Sequence, residues 1–408
     1  MKAQRRETHI EYYRHYAIAP VRYDVSDMPA HLERREVLYH RLALPPPAFR
    51  GNRVLEVAAG TGQNSLYIAQ LKPARLVLLE PNATAVEHLL RTYEEFDIAH
   101  TAPEVVTCTL EEFESVEPFD IVVCENWLGN SPRELALLDK LAGMVAHPGI
   151  LVITWVPPIG LVPNLLRRFL GTRLTADGLD FQTRTQLLAE AFAPHLRSLG
   201  SMTRSAIDWV QDNMLNPAYF GLCLSLPIVI DCLGADFDVL GCSPVFAEDW
   251  RWFKAMAGVK RRINDHVLEE YWRKAHNYLD QREPPFSGDG DANRRLDEEA
   301  LRVLAAIEAH EDCFTSAENA VDAAARVRES LVRFIARVPA RMAQTVSALE
   351  EFVERGFDIA PGDVSAVIAM ERFGTLFGRE TSYVSLVRRA QGSALAGEST
   401  LMIKPVVR

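Results

Sequence analysis

Arg53-Val-Leu-Glu-Val-Ala-Ala-Gly-Thr-Gly-Gln-Asn64 is the stretch whose reading decides the fold. Its apolar run, Val54, Leu55 and Val57, predicts a buried strand, and the run carries a carboxylate, Glu56, and leads into two glycines, Gly60 and Gly62. Ser65–Gln70 is helix-like. A second apolar run, Arg75-Leu-Val-Leu-Leu79, predicts another strand and ends in Glu80-Pro81-Asn82. The order strand, glycine turn, helix, strand, acid predicts a parallel α/β unit with a ligand at the carboxyl ends of its strands.

The details of the turn narrow the ligand. A dinucleotide fingerprint, G-x-G-x-x-G, laid on this stretch requires glycine at 58, 60 and 63, where the chain has Ala58, Gly60 and Gln63. Gln63 removes the glycine that permits close helix–strand packing in dinucleotide enzymes. The Lys-Ser/Thr pair of a P-loop is also missing. The remaining pattern, acid-x-A-x-G-x-G, resembles motif I of the class I S-adenosylmethionine (SAM)-dependent methyltransferases. SAM has no phosphate, so no pyrophosphate cradle is needed. Glycines let the backbone turn and approach a ligand without a side-chain clash.

The bulk composition bounds the rest. At 408 residues the chain suits two domains, or one domain with a large insertion. A net charge of −11 and the absence of a long basic run argue against nucleic acid as a partner. Six cysteines without C-x-x-C spacing read as small core residues in a reducing compartment, and no metal site is expected. No apolar stretch follows Met1-Lys-Ala-Gln-Arg-Arg6, so no signal peptide is expected. The longest apolar region, Tyr219 to Leu233, is interrupted by Pro227 and Asp231 and is too short to span a bilayer. These readings predict a cytoplasmic protein with no membrane partner.

The resemblance implies an α/β architecture: a doubly wound, mostly parallel, seven-stranded Rossmann-like methyltransferase sheet with an N-terminal helical lid and a C-terminal helical subdomain. Residues 1–50, rich in Tyr and Arg, are the extension or lid, with a helix expected over Leu32–Leu42. Residues 51–245 are the SAM-binding domain. Its further strands are expected at Val105–Cys108, Phe119–Cys124, Pro148–Trp155 and Phe237–Gly241, with helices near Thr84–Glu95 and Pro132–Ala146. An insertion is expected at about 157–216 and a buried helix over Ala218–Leu233. Residues 246–378 read as a helical subdomain, a surface for a possible homodimer. It includes a helix from about Val259 to Gln281, a stripe of Leu296, Leu301, Leu304 and Ile307, and a capping box at Thr315–Glu318. Asp289-x-Asp291-x-Asn293 has the spacing of a calcium loop, but Arg294 and Ala300 occupy the positions of its glycine and bidentate glutamate, so calcium is excluded. Residues 379–408 carry two candidates for a last, antiparallel strand, Ser382–Val387 and Leu401–Val407.

The resemblance also assigns site residues. Glu56, Ala58, Gly60 and Gly62 match motif I, with Glu56 directed at the ammonium end of SAM. Glu80 matches the acid that accepts hydrogen bonds from the ribose hydroxyls, with Pro81 and Asn82 beside the adenine. Thr109, Leu110 and Glu111 follow the third strand, where the family contacts the adenine edge, although the family's common Asp is absent. Asn64 is a candidate helix cap or contact to the SAM carboxylate. Glu125-Asn126-Trp127 ends the fourth strand at the position that faces the methyl group, which makes Glu125 a candidate general base and cofactor contact and Asn126 a catalytic candidate. The prolines of the nucleic-acid amino-methyltransferases are missing there. Tyr16 is a further catalytic candidate. Tyr12, Tyr13, Tyr23, Trp127, Trp155 and Asn213 are candidate substrate contacts.

The expected activity is methyl transfer from SAM to an oxygen or nitrogen of a small molecule. Two alternatives share the sequence signal. One is an enzyme that uses another carbon of SAM, by aminocarboxypropyl or aminopropyl transfer or by cyclisation, and releases methylthioadenosine. The other is a methyltransferase-like scaffold without catalysis.

Overall fold

The computed structural model describes residues 7–389 apart from 19–22, 98–99, 176–177, 201, 257–261 and 314–316. Its centre is a sheet of seven strands: β1 (Arg53–Val57), β2 (Arg75–Leu79), β3 (Glu104–Val106), β4 (Phe119–Cys124), β5 (Val145–Trp155), β6 (Phe237–Ser243) and β7 (Ser382–Arg388). The spatial order is β3-β2-β1-β4-β5-β7-β6. β7 runs antiparallel between β5 and β6, and the other neighbours pair in parallel. The doubly wound α/β sheet expected from the sequence is therefore present. Of the two candidates for the last strand, Ser382–Arg388 fills the role, and 401–407 lies outside the described residues.

The strands are apolar throughout because both faces are covered. Leu55, Val57, Val77, Leu79, Val122, Cys124, Leu151 and Ile153 point into one core. Val54, Leu76, Leu78, Ile121, Val123 and Val152 point into the other, together with Tyr39, Leu42, Leu44 and Phe49 from the N-terminal region. The period-two alternation thus divides one hydrophobic run between two cores.

Several element boundaries differ from the sequence expectation. β3 is shorter than expected and stops before Thr107. β5 begins at Val145, because Val145 pairs with Phe119 ahead of the register shift in β4. The helix expected through Ala146 therefore ends at Gly143. Ala218–Leu233 is not one helix: a 3-10 turn, Pro217–Leu222, is separated from the helix Leu226–Leu233, as Pro227 at a helix start requires. The helix expected over Val259–Gln281 is Ile263–Lys274 followed by a 3-10 turn. Thr315 of the expected capping box lies outside the described residues. In the helix Gly290–Cys313 the buried stripe is Leu296, Ala300, Val303 and Ile307, while Leu301 is exposed. Spacings of four, three and four follow the helical period, and Leu301 falls one step off it. Asp289 accepts a hydrogen bond from the Ala292 amide at the start of this helix, a local job unrelated to metal.

The C-terminal helices share the main core with the sheet, from Leu296 through Phe352 to Phe377. Arg167, fully buried in the helix Pro158–Leu174, fastens the segment before β7. It donates to the carbonyls of Pro163, Phe373, Gly374 and Leu376 and lies 3.7 Å over the Phe377 ring. The N-terminal region is fastened as well: Ser385 of β7 donates to the Leu42 carbonyl at 2.6 Å. Among the described residues no helix is long and apolar enough to cross a membrane.

Candidate functional site

β1 lies between β2 and β4, where the strand order reverses, and ligands bind at such a switch point. Beyond Val57 the chain turns with Ala58, Gly60 and Gly62 at φ of 58°, 57° and 76°. Ala58 is a non-glycine residue in the left-handed region, which costs about 1–2 kcal/mol and is a mark of functional turns. The three residues do different jobs. Ala58 and Gly60 line the cavity described below, and Gly62 does not. A Cβ on Gly62 would lie 2.7 Å from Leu89 Cγ, so this glycine admits the helix Ala83–Glu95 as well as the turn.

Glu80, at the end of β2, holds the turn. Its carboxylate accepts from the Gly60 amide at 2.8 Å and the Asn82 amide at 2.9 Å. Burial raises its pKa, and the two amides only partly offset that. Asn82 accepts from the Thr84 amide and caps the helix Ala83–Glu95. Gln63, the residue that argued against a dinucleotide, has a positive role: its side chain exchanges two hydrogen bonds with the Tyr23 backbone, at 2.8 and 3.1 Å. The N-terminal segment is thereby held over the turn.

A buried ionic group sits below. Arg35, from the helix Met28–Arg41, clasps Glu125 with two nitrogens at 2.5 and 3.0 Å, and both side chains are 7% exposed. Tyr39, one helical turn on, donates to the same carboxylate at 3.4 Å, as does Asn64. Asn64 makes no capping hydrogen bond to its helix. Glu56 is buried beside this group, and its Oε2 has no partner among the described residues. Burial and the neighbouring Glu125 push its pKa up to about 8, against the opposing pull of Arg35.

The turn, Glu80 and the Glu56–Asn64–Glu125 group border one cavity of about 390 Å³, within the range of small-molecule sites. Of the residues singled out in the sequence, Glu56, Ala58, Gly60, Asn64, Glu80, Pro81, Asn82, Thr109, Leu110, Glu125, Asn126, Trp127, Tyr13, Tyr23 and Asn213 line it. Gly62, Glu111, Tyr12, Tyr16 and Trp155 do not. Glu111 turns outward to pair with Arg133. Tyr12 is buried and donates to the Gln211 carbonyl at 2.9 Å, and Tyr16 stacks on Phe181 at 3.8 Å. On the helix His9–His15 the cavity-facing residues are His9, Ile10 and Tyr13, so 12 and 16 share a different side. Trp155 follows Thr154 on β5, and successive strand residues face opposite ways. Thr154 borders the cavity and accepts the Asn126 amide, whereas Trp155 packs in the core on Tyr271 and Tyr278.

The far half of the cavity contains residues that sequence reasoning did not assign to the site: His9, Arg204, Asp212, Tyr219, Glu380, Thr381 and Tyr383. Asp212 and Asn213 stand on a π-helical turn, Gln211–Leu215, a distortion frequent at functional sites. Asp212 accepts from Tyr13 at 2.5 Å and from Arg204 at 2.7 Å. Burial, then Asp212, raises the Tyr13 pKa well above its ordinary value, so the phenol stays protonated as the donor. Asn216, part of the polar run Asp208–Asn216 that the sequence does display, meets the His9 ring at 2.9 Å.

A mostly parallel sheet with a glycine turn at its switch point, an acid at the end of β2 and an open cavity above them is an α/β arrangement suited to a small ligand at the carboxyl ends of the strands. Residues 54–149 match the family model described as a methyltransferase domain. Over that stretch, about a quarter of the chain, the sequence is similar to a methyltransferase domain. Comparison with curated proteins gives no match. Among solved structures, the chain is similar to magnesium protoporphyrin IX methyltransferase from Synechocystis PCC 6803 with bound SAM. That likeness has 19% identity over 36% of this chain and 69% of the other, and a TM-score of 0.27. Mycolic acid cyclopropane synthase is 13% identical over 91% of this chain and 90% of its own, with a TM-score of 0.36. The N-methyltransferase NodS from Bradyrhizobium japonicum is 13% identical over 57% and 88%, with a TM-score of 0.34. At these scores none of the three bears on the activity.

Proposed function

We propose that the protein transfers the methyl group of SAM to an oxygen or nitrogen of a small molecule. The observation that carries this reading is that the glycine turn, Glu56 and Glu80 open into the same cavity as a second, polar and aromatic wall. The residues present fit SAM. Glu56 offers a buried acceptor without a partner, suited to an ammonium group. Ala58 and Gly60 expose backbone at the turn. Glu80 uses one hydrogen bond per oxygen on the turn and keeps lone pairs for ribose hydroxyls. Pro81, Asn82, Thr109 and Leu110 border the side assigned to the adenine.

When bound, SAM supplies a methyl group on a sulfonium, already an activated leaving group. The chain's part is to align the nucleophile and exclude water. Glu125, held from behind by Arg35, borders with Asn126 and Trp127 the space where the nucleophile would stand. Glu125, engaged by Arg35, Tyr39 and Asn64, acts here as a positioning group at the floor of the cavity.

Two measurements test the reading. Calorimetry should show binding of S-adenosylhomocysteine, and its absence would instead favour a scaffold. Product analysis by mass spectrometry should find S-adenosylhomocysteine after turnover. Release of methylthioadenosine would reassign the chemistry to another carbon of SAM.

A further inference from the structure

Among the described residues five carboxylates line the cavity, Glu56, Glu80, Glu125, Asp212 and Glu380, against one guanidinium, Arg204. Four of them are accounted for. Glu80 binds two backbone amides, Glu125 binds Arg35, Asp212 binds Arg204 and Tyr13, and Glu56 faces the cofactor half. Glu380 is left over. It stands two residues before β7, at the end of the sheet where β5 finishes, because Ser382 pairs with Trp155. Its hydrogen-bond donors are neutral: the amide of Asn164, itself 3% exposed, and the hydroxyl of Tyr219 at 3.4 Å. Among the described residues no Lys, Arg or His forms an ion pair with it. The two arginines whose charge reaches it are engaged elsewhere, Arg204 on Asp212 and Arg167 on four carbonyls.

Glu380 is half-buried, and a carboxylate drawn that far out of water without a cation is costly unless something charged is to arrive. The walls around it say what. Tyr13, Tyr23, Trp127, Tyr219 and Tyr383 line the same cavity, and aromatic faces attract ammonium groups. We infer that the substrate is a cationic amine and that the Glu380 carboxylate is the group that receives it. This deepens the methyl-transfer reading and rests on it. Burial raises the Glu380 pKa to about 7, with Arg204, Tyr219, Arg167 and Asn164 pulling the other way. The group is thus suited to take a proton near neutrality. One ammonium proton passes to a Glu380 oxygen. The freed nitrogen lone pair then forms the N–C bond as the C–S bond breaks and leaves its electron pair on sulfur. The product leaves as a methylated ammonium, and the proton on Glu380 returns to solvent.

The test uses the full chain saturated with S-adenosylhomocysteine and three probes of one shape: tyramine, 4-ethylphenol and 4-hydroxyphenylacetate. Tyramine should bind roughly ten-fold more tightly than the neutral phenol, and the acid more weakly still. Glu380→Gln should bring tyramine and 4-ethylphenol to within about two-fold of each other and leave S-adenosylhomocysteine affinity within about two-fold of the parent. The parent protein gives a second readout that needs no substitution. Its preference for tyramine should shrink from pH 8 to pH 5.5 as Glu380 protonates, since the amine stays cationic throughout. Equal binding of the three probes, binding of none at millimolar concentration, preference for the acid, or a preference that survives Glu380→Gln or low pH would each overturn the inference. Failure of the parent protein to bind S-adenosylhomocysteine would instead remove the methyltransferase reading beneath it.

Discussion

The two halves of the cavity are built in opposite ways. The cofactor half comes from contiguous sequence: a strand, its turn, and the acid ending the next strand, fixed by backbone amides on Glu80. The far half gathers residues from His9 to Tyr383, from a short N-terminal helix, a π-turn and the start of the antiparallel strand. Its contacts are side chain to side chain, as in Tyr13–Asp212–Arg204 and Glu380–Tyr219. Backbone geometry tolerates sequence change around it, whereas side-chain networks are specific to their members. The first half therefore rests on backbone geometry and the second on the identity of its side chains.

The largest expected effect lies where the halves meet. Arg35→Ala leaves Glu125 buried and unpaired, and the loss of stability should be about 3–5 kcal/mol. The double variant Arg35→Ala/Glu125→Ala should lose less than the sum of the single losses, as read from denaturant midpoints in a double-mutant cycle. Additive losses would mean that the two side chains do not act as a pair.

Glu80→Ala should weaken S-adenosylhomocysteine binding by at least about ten-fold, since it removes both the anchor of the turn and a charged acceptor. Full affinity in calorimetry would contradict the assignment to ribose and blur the division between the halves.

Glu56 gives the cofactor half a pH signature. Folded and ligand-free, it holds its proton up to about pH 8, while its ordinary value is 4.5. The folded state then binds more protons than the unfolded one within that window, so the Glu56 contribution to stability declines as pH rises from 4.5 to 8. A bound ammonium group reverses the preference, and the melting-temperature gain from S-adenosylhomocysteine should grow across the same window. Glu56→Gln should flatten that growth. An unchanged profile would place the ammonium elsewhere.

The smallest effect belongs to the far half. Tyr13→Phe removes the hydroxyl from Asp212, which keeps Arg204 as a partner. The expected cost is about 1 kcal/mol in stability, with S-adenosylhomocysteine affinity unchanged. A large loss of that affinity would show that the halves are coupled through the N-terminal helix.

What was legible beforehand follows the same division. Val54–Val57, Gly60, Glu80 and Asn82 were readable because strand burial, positive φ and a strand-end acid are local properties, set by residues near one another in the chain. Tyr12 and Tyr16 were misplaced because composition marks an aromatic segment but not which side of a short helix faces inward. Trp155 was misplaced because its apolar run hides the alternation that sends Thr154 to the cavity and Trp155 to the core. Gly62 carries a second role, making room for Leu89, that motif reading does not reveal.

The sequence by itself determined the sheet, the glycine turn and the cofactor class, since these depend on periodicity and on backbone freedom at fixed spacing. Only the tertiary structure decided the partner of Glu125, the job of Gln63 and the presence of Glu380 in the cavity. Arg35 and Glu125 are 90 positions apart, and Asn164 and Glu380 are 216 apart. No local pattern encodes such pairs, because they exist only once the two cores have brought distant segments to the same end of the sheet.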